Sequence, residues 1–181
     1  MDQLECLFER LVTGSSIFIN HDVLHHDFIP DYLPHRDDET LRIGAILAPT
    51  LKNYKCSNLF IYGKTGTGKT AVTRCVLNRL VKKSLEIGKK TLVCYINCRT
   101  VGTEYRIITA MCSAIGIKVP FTGLATAEIL KRFKDNFNNR NMPFIIVLDE
   151  IDLLVRNYGD GILYTLTRFN EAAKNAKLTI V

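Results

Sequence analysis

The stretch "GKTGTGKT", Gly63 to Thr70, stands between the apolar run "LFIY" and the helical pattern "AVTRCVLNRLV". Gly63 and Gly68 with four residues between them, followed by Lys69 and Thr70, form the phosphate-binding spacing GxxxxGK[ST]. Glycines at these points let successive backbone N–H groups converge on phosphate oxygens, and the helix that follows adds its positive N-terminal end. Lys69 is placed to reach the outer phosphates, and Thr70 to ligate Mg²⁺. The motif is specific because both flanking requirements, a strand before and a helix after, are met.

Working outward, Ala71, Val72, Cys75, Val76, Leu80 and Val81 recur at helical spacing up to Gly88, which suits a left-handed helix end. "TLVCYIN" (Thr91 to Asn97) and "FIIVLD" (Phe144 to Asp149) are short, continuous and rich in β-branched residues, as expected of parallel strands buried on both faces. Two helical patterns lie between them. One carries Ile107, Ile108, Met111, Cys112 and Ile115 and ends at Gly116; the other carries Ile129, Leu130, Phe133 and Phe137, with Thr126 as N-cap. Ile162, Leu163, Leu166, Phe169 and Ala173 predict one more helix, and "LTIV" (Leu178 to Val181) a fourth strand. The alternation predicts an α/β fold with a doubly wound parallel sheet of about four strands, incomplete at its C-terminal side. "TGSSIFINHD" and "IPDYLPHRDD" are the loop-like stretches, and there is no internal repeat.

A phosphate site with a metal needs a second group of ligands, and "FIIVLDEID" offers one. Its apolar strand runs straight into Asp149 and Glu150. Asp149, at the strand's C-terminal end, can hold Mg²⁺ directly or through water, and Glu150 can act as general base on an attacking water. That pairing favours ATP hydrolysis over kinase or small-GTPase chemistry, with Lys69, Asp149 and Glu150 as the catalytic candidates. Asp152 has two readings, a member of the acidic cluster or the N-cap of the next segment.

The 181 residues, 47% hydrophobic and 23% charged, suit one well-buried core. The charged N-terminus "MDQLECLFERL" is unlike a signal peptide, and no apolar run is long enough for a membrane span. Six cysteines, with no CxxC pair, read as small buried hydrophobes of a reducing compartment. The net charge of +6 is spread over helix surfaces such as "VKKSLEIGKK" and "LKRFKDNFNNR" and reads as a basic solvated face. His21, His25 and His26 lack a matching Cys or carboxylate spacing and read as solvated loop residues, and the Phe and Tyr positions as core.

With both motifs placed, "DYLPHRDDETLRIGAILAPTLK", "SNLFIYGKTGTGKTAV", "YINCRTVGTEYRI", "GIKVPFTGL", "IIVLDEIDLL" and "GDGILYTLTRFNE" together resemble the archaeal DNA replication initiators of the origin-recognition-complex and cell-division-control type, a clade of AAA+ ATPases. The resemblance covers the chain from about Asp31 onward. It implies an N-terminal segment at 1–30 and, at 31–181, an AAA+ nucleotide-binding core cut before its sensor residues, arginine finger, helical lid and winged-helix domain.

The nucleotide contacts it implies are Gly63, Lys64, Thr65, Gly66, Thr67, Gly68, Lys69, Thr70 and Ala71, with Thr70 and Asp149 on Mg²⁺. Tyr32, Leu33, Pro34 and Arg36 look like the stretch along the adenine, and "VPFTGL" falls where this clade carries a helical element that approaches DNA. The implied partners are ATP or ADP, origin double-stranded DNA (held weakly by this portion), the replicative helicase and other initiator subunits. No membrane is implied, and the implied location is cytoplasmic, at the nucleoid. The expected role is an ATP-switched protein with very slow hydrolysis. Two other readings stand beside it, a nucleotide-binding module without turnover and an AAA-like signalling ATPase acting on protein partners.

Overall fold

The computed structural model describes residues 3–13, 23, 25, 28–120, 123–172 and 177–181. The chain divides into two compact units, Met1–Tyr32 and Leu33–Val181. Within the first, Gln3–Thr13 forms helix α1, with Leu4, Leu7, Phe8 and Val12 exposed on it. Nearly all of the loop-like stretch "TGSSIFINHD" lies outside the described residues.

The second unit opens with α2 (Asp37–Leu47), whose first turn holds Asp37, Asp38 and Glu39, the charge that a helix N-terminus favours. A 3₁₀ turn, Ala48–Lys52, follows. Helix α3 (Lys69–Glu86) starts directly from the glycine-rich loop and buries Val72, Cys75, Val76 and Leu80 of the stripe read from the sequence, together with Leu77, while Ala71 and Val81 are half-buried. It ends where expected: Gly88 adopts φ +67°, and the N–H of Lys89 returns to the Ser84 carbonyl at 2.9 Å.

Strand β1 (Leu92–Asn97) leads into the single turn α4 (Cys98–Val101), which Asn97 caps by accepting from the N–H groups of Arg99 and Thr100. Then come α5 (Glu104–Ala114), α6 (Thr126–Asn138), strand β2 (Pro143–Asp149), α7 (Ile151–Tyr158), α8 (Gly161–Thr167), α9 (Phe169–Ala172) and strand β3 (Lys177–Ile180).

Three boundaries differ from the sequence reading. Thr126 is the first residue of α6, and Ala125 holds the N-cap position without a side-chain bond. Glu150, not Asp152, occupies the N-cap position of α7. The single helix expected from Ile162 to Ala173 is two: the Thr167 hydroxyl donates to the carbonyls of Leu163 and Tyr164, a local bond that competes with helix continuation, and α8 closes at Arg168.

The strands pair in parallel in the order β1-β2-β3, with Leu92 opposite Phe144, Asn97 opposite Asp149, and Phe144 opposite Leu178. One face of β2 sends Phe144, Ile146 and Leu148 into a core shared with α5, α6, α8 and α9. The other sends Ile145 and Val147 against Ile43 and Leu47 of α2 and Val72, Val76, Leu77 and Leu80 of α3. This is the doubly wound α/β arrangement, a sheet covered by helices on both sides. Phe133, Phe137, Phe144 and Phe169 form an aromatic knot in the first core, with ring centroids 5.3 to 6.1 Å apart.

The run "LFIY" is not the regular strand that its composition predicted. It keeps a strand's alternation, Leu59 and Ile61 packing against the α3-side core while Phe60 and Tyr62 are 74% and 83% exposed. The N–H of Leu59 donates to the Ile180 carbonyl at 2.8 Å, so the run lies beside β3. A ladder does not follow, because the Ile180 N–H that would continue it donates to the side-chain Oδ1 of Asn58 at 3.1 Å.

Two outcomes test this packing. Replacing Phe133 by Ala should cost ~3–5 kcal/mol of unfolding free energy, read as a lowered urea midpoint, because its neighbours cannot close so large a void. Amides of Phe60 to Tyr62 should exchange with solvent faster than those of Ile145 to Leu148, and equal protection in a hydrogen-exchange experiment would contradict the missing ladder.

Candidate functional site

The loop from Gly63 to Gly68 is made by backbone that side chains resist. Gly66 and Gly68 sit at φ +79° and +86°, and Gly68 is the residue from which α3 launches. The Gly68 carbonyl accepts the first helical bond from Val72 at 2.9 Å. Inside the loop, the Thr67 hydroxyl donates to the Lys64 carbonyl at 2.9 Å. The ammonium of Lys69 folds back over the loop and donates to the carbonyls of Gly63 and Lys64, both at 2.9 Å. A movable cation therefore sits over the concave loop at the positive end of an 18-residue helix, a combination that attracts a phosphate group. Lys64, Thr65 and Thr67 are exposed, Gly68 and Lys69 half-buried, and Ala71 is half-buried in the first turn of α3.

The two motifs meet. Thr70 donates its hydroxyl proton to Asp149 Oδ2 at 2.9 Å, across 79 residues of sequence. Asp149 Oδ1 accepts from the backbone N–H of Glu150 at 3.1 Å. Glu150 itself holds a left-handed backbone, φ +55° and ψ +39°, unusual for a residue with a β-carbon. That conformation turns the chain out of β2 at once, starts α7 and leaves the Glu150 side chain exposed beside the Asp149 carboxylate.

A third segment reaches the same carboxylate, and the sequence reading had placed it in the core. The Tyr95 hydroxyl, on β1, donates to Asp149 Oδ2. The guanidinium of Arg74, one turn beyond Thr70 on α3, stacks over the Tyr95 ring at 4.1 Å. Burial, then the hydrogen bond to Asp149 and its charge, push the Tyr95 phenol up to about 12, with Arg74 opposing. A signal was present in the sequence: Tyr95 shares the α3-facing parity of Val93 and lies near the C-terminal end of its strand, where α/β sheets place their ligands.

The donor chemistry fits Mg²⁺. A Thr hydroxyl that gives its proton to Asp149 keeps its lone pairs for a hard cation, and Asp149 adds a carboxylate, so Thr70 and Asp149 would hold the ion. Cys98, buried behind this rim, is unsuited to reaction. Its burial, followed by the charges of Asp149, Asp152 and Glu150, pushes the thiol up to about 11. Asp152 thus lies close enough to join the acidic side of the site electrostatically while standing in the first turn of α7.

The stretch read for the adenine divides between the two units. Tyr32, 58% exposed, closes the first. Leu33 opens the second and packs against the α2–α3 core, and its carbonyl accepts from the N–H of Arg36 at 3.3 Å. Pro34 lies inside that turn, His35 takes φ +58°, and Arg36 pairs with Glu39 at 2.8 Å. An open cavity of about 440 Å³ lies there, lined by His35, Asp37, Asp38, Glu39 and Arg42. Its three carboxylates make it a poor place for a phosphate. Phe121 and Thr122 of "VPFTGL" and the histidines at 21 and 26 lie outside the described residues, while His25 is exposed.

Residues 52–181 match the AAA domain family. The ORC1-type DNA replication protein 1 of Sulfolobus acidocaldarius is 46% identical over 180 residues, 99% of this chain and 44% of that protein. The chain thus spans less than half the length of this relative. Among solved structures, the Aeropyrum pernix ORC1 protein in complex with DNA superposes with a TM-score of 0.80 at 42% identity, over 87% of this chain and 41% of that one. The ORC2 protein of the same organism, solved with ADPNP and ADP, shares the fold with a TM-score of 0.73 at 22% identity, over 91% of this chain and 45% of that one.

The raised thiol supplies a check on the packing behind the site. At pH 8, well below about 11, Cys98 holds little thiolate and should resist maleimide in the folded protein. The same peptide should label rapidly in concentrated urea. Site-resolved mass spectrometry reads both rates, and fast labelling of native Cys98 would contradict its burial.

Proposed function

We propose that this chain, which belongs to the AAA domain family and is homologous to ORC1-type DNA replication proteins, is the ATP-binding core of a DNA replication initiator that recognises origins, helps load the replicative helicase and uses ATP as an assembly switch. The observation that carries the nucleotide site is the hydrogen bond between Thr70 and Asp149, which joins the phosphate-binding loop to the acidic end of β2.

In this reading the N–H groups from Gly63 to Thr70 cradle the phosphates, and Lys69 leaves the loop carbonyls for the outer phosphate oxygens. The bound Mg²⁺ would neutralise charge on the β- and γ-phosphates, held by Thr70 and Asp149. Glu150, exposed and adjacent, orients and deprotonates the attacking water. Leu33, Pro34 and Arg36, with Tyr32, are the candidates for the adenine side. Turnover is very slow in this reading, because a nucleotide that serves as a switch must dwell in its bound state.

DNA and protein partners belong to the same proposal. The net charge of +6 supports weak, sequence-blind attraction to duplex DNA. Origin recognition and contacts with the replicative helicase and other initiator subunits are what the resemblance to replication initiators implies. A nucleotide-binding module without turnover is the second reading, and it differs in showing no hydrolysis that Glu150→Gln could remove.

Lys69→Ala should weaken binding of a fluorescent ATP analogue by an order of magnitude or more, since it leaves outer-phosphate charge unpaired. Glu150→Gln should leave that binding intact and remove whatever hydrolysis the chain shows, because the amide cannot accept a proton. Equal analogue affinity in wild type and Lys69→Ala would sink the loop assignment. ATPase activity surviving Glu150→Gln would remove Glu150 from the chemistry. In a gel shift, duplex binding should be lost steeply between low and physiological salt, and tight origin-selective binding by these residues alone would contradict the weak-attraction reading.

A further inference from the structure

We propose that Tyr95 is a positioning residue for the metal-binding carboxylate: its hydroxyl, held in place by Arg74, fixes Asp149 in the orientation that presents Thr70 to Mg²⁺. The proposal rests on the phosphate-site reading above and adds to it a residue outside both sequence motifs.

The geometry is specific. Asp149 stands at the very end of β2, half-buried, where a free carboxylate on a short side chain would swing between the loop and solvent. Three donors from three segments remove that freedom. The backbone N–H of Glu150 takes Oδ1, while Thr70 from α3 and Tyr95 from β1 converge on Oδ2. Of the three, Tyr95 alone is neither a neighbour in sequence nor a candidate ligand. Metal sites commonly depend on such outer partners to orient their carboxylates.

The Tyr95 ring is itself braced. Register places it opposite Val147, on the α3-facing side of the sheet and two residue pairs before the Asn97–Asp149 pair. It packs against the core formed by α2 and α3. Arg74 lies over its ring at 4.1 Å, and because Arg74 and Thr70 lie one turn apart on α3, the same helix sets both ends of the chain Arg74–Tyr95–Asp149–Thr70.

The test separates metal from nucleotide. The fluorescent ATP analogue is first bound in EDTA, and Mg²⁺ is then titrated into wild type, Tyr95→Phe, Arg74→Ala, Arg74→Lys and Lys69→Ala. Tyr95→Phe keeps the ring and removes one hydroxyl. It should raise the half-saturating Mg²⁺ concentration ~10-fold or more while leaving the affinity in EDTA unchanged. Arg74→Ala should shift the Mg²⁺ curve in the same direction by less, and Arg74→Lys, which keeps a cation over the ring, should restore it. A general loss of structure would weaken both affinities together, so the split between them is the diagnostic.

Superimposable Mg²⁺ curves for wild type and Tyr95→Phe, with analogue binding lost in Lys69→Ala, would overturn the role of Tyr95 and leave the phosphate site standing. Undiminished analogue binding by Lys69→Ala in EDTA would bring down the phosphate site and this proposal with it.

Discussion

Strand β2 is buried on both faces from Pro143 to Leu148, and Asp149 is the first residue along it that the two cores do not enclose. The rest of the molecule follows from that constraint. A strand with no polar side chain over six residues cannot lie at an edge or face water, so α5, α6, α8 and α9 cover one side and α2 and α3 the other. One of the two helices that cover the second side is the one launched from the glycine-rich loop. Burying β2 and placing Thr70 next to Asp149 are therefore one packing event, and the chemistry gathers where the apolar strand stops.

The glycine-rich loop and the acidic strand end were legible because each is local. A loop that must hold positive φ at Gly66 and Gly68 writes itself as glycine, and a doubly buried strand writes itself as an unbroken apolar run. Helices with one buried stripe, such as α3 and α5, were legible for the same reason. Tyr95 was not, because its sequence neighbours, Cys94 and Ile96, give it the look of one more core residue. Its role depends on register with β2 and on Arg74 from another element, and neither is a property of a short window. "LFIY" failed in the opposite way. Its composition is that of a strand, yet ladder formation is decided by the partner's free groups, and Asn58 takes the Ile180 N–H. Thr126 and Asp152 show the ordinary uncertainty of helix ends, where a capping residue type within one or two positions of the start is no proof of a cap.

Asp149 is bound to parts of the fold that are otherwise separate. Thr70 ties it to α3, Tyr95 to β1, and the Glu150 N–H to the start of α7. The left-handed backbone at Glu150 disfavours residues with a β-carbon by roughly 1–2 kcal/mol, and it stands between the bond to Asp149 and the start of α7. A cation held by Thr70 and Asp149 would meet groups whose positions the sheet and two helices already fix, so little ordering would remain to oppose its binding. By the same convergence, a shift of this one carboxylate would bear on α3, β1 and the start of α7 together.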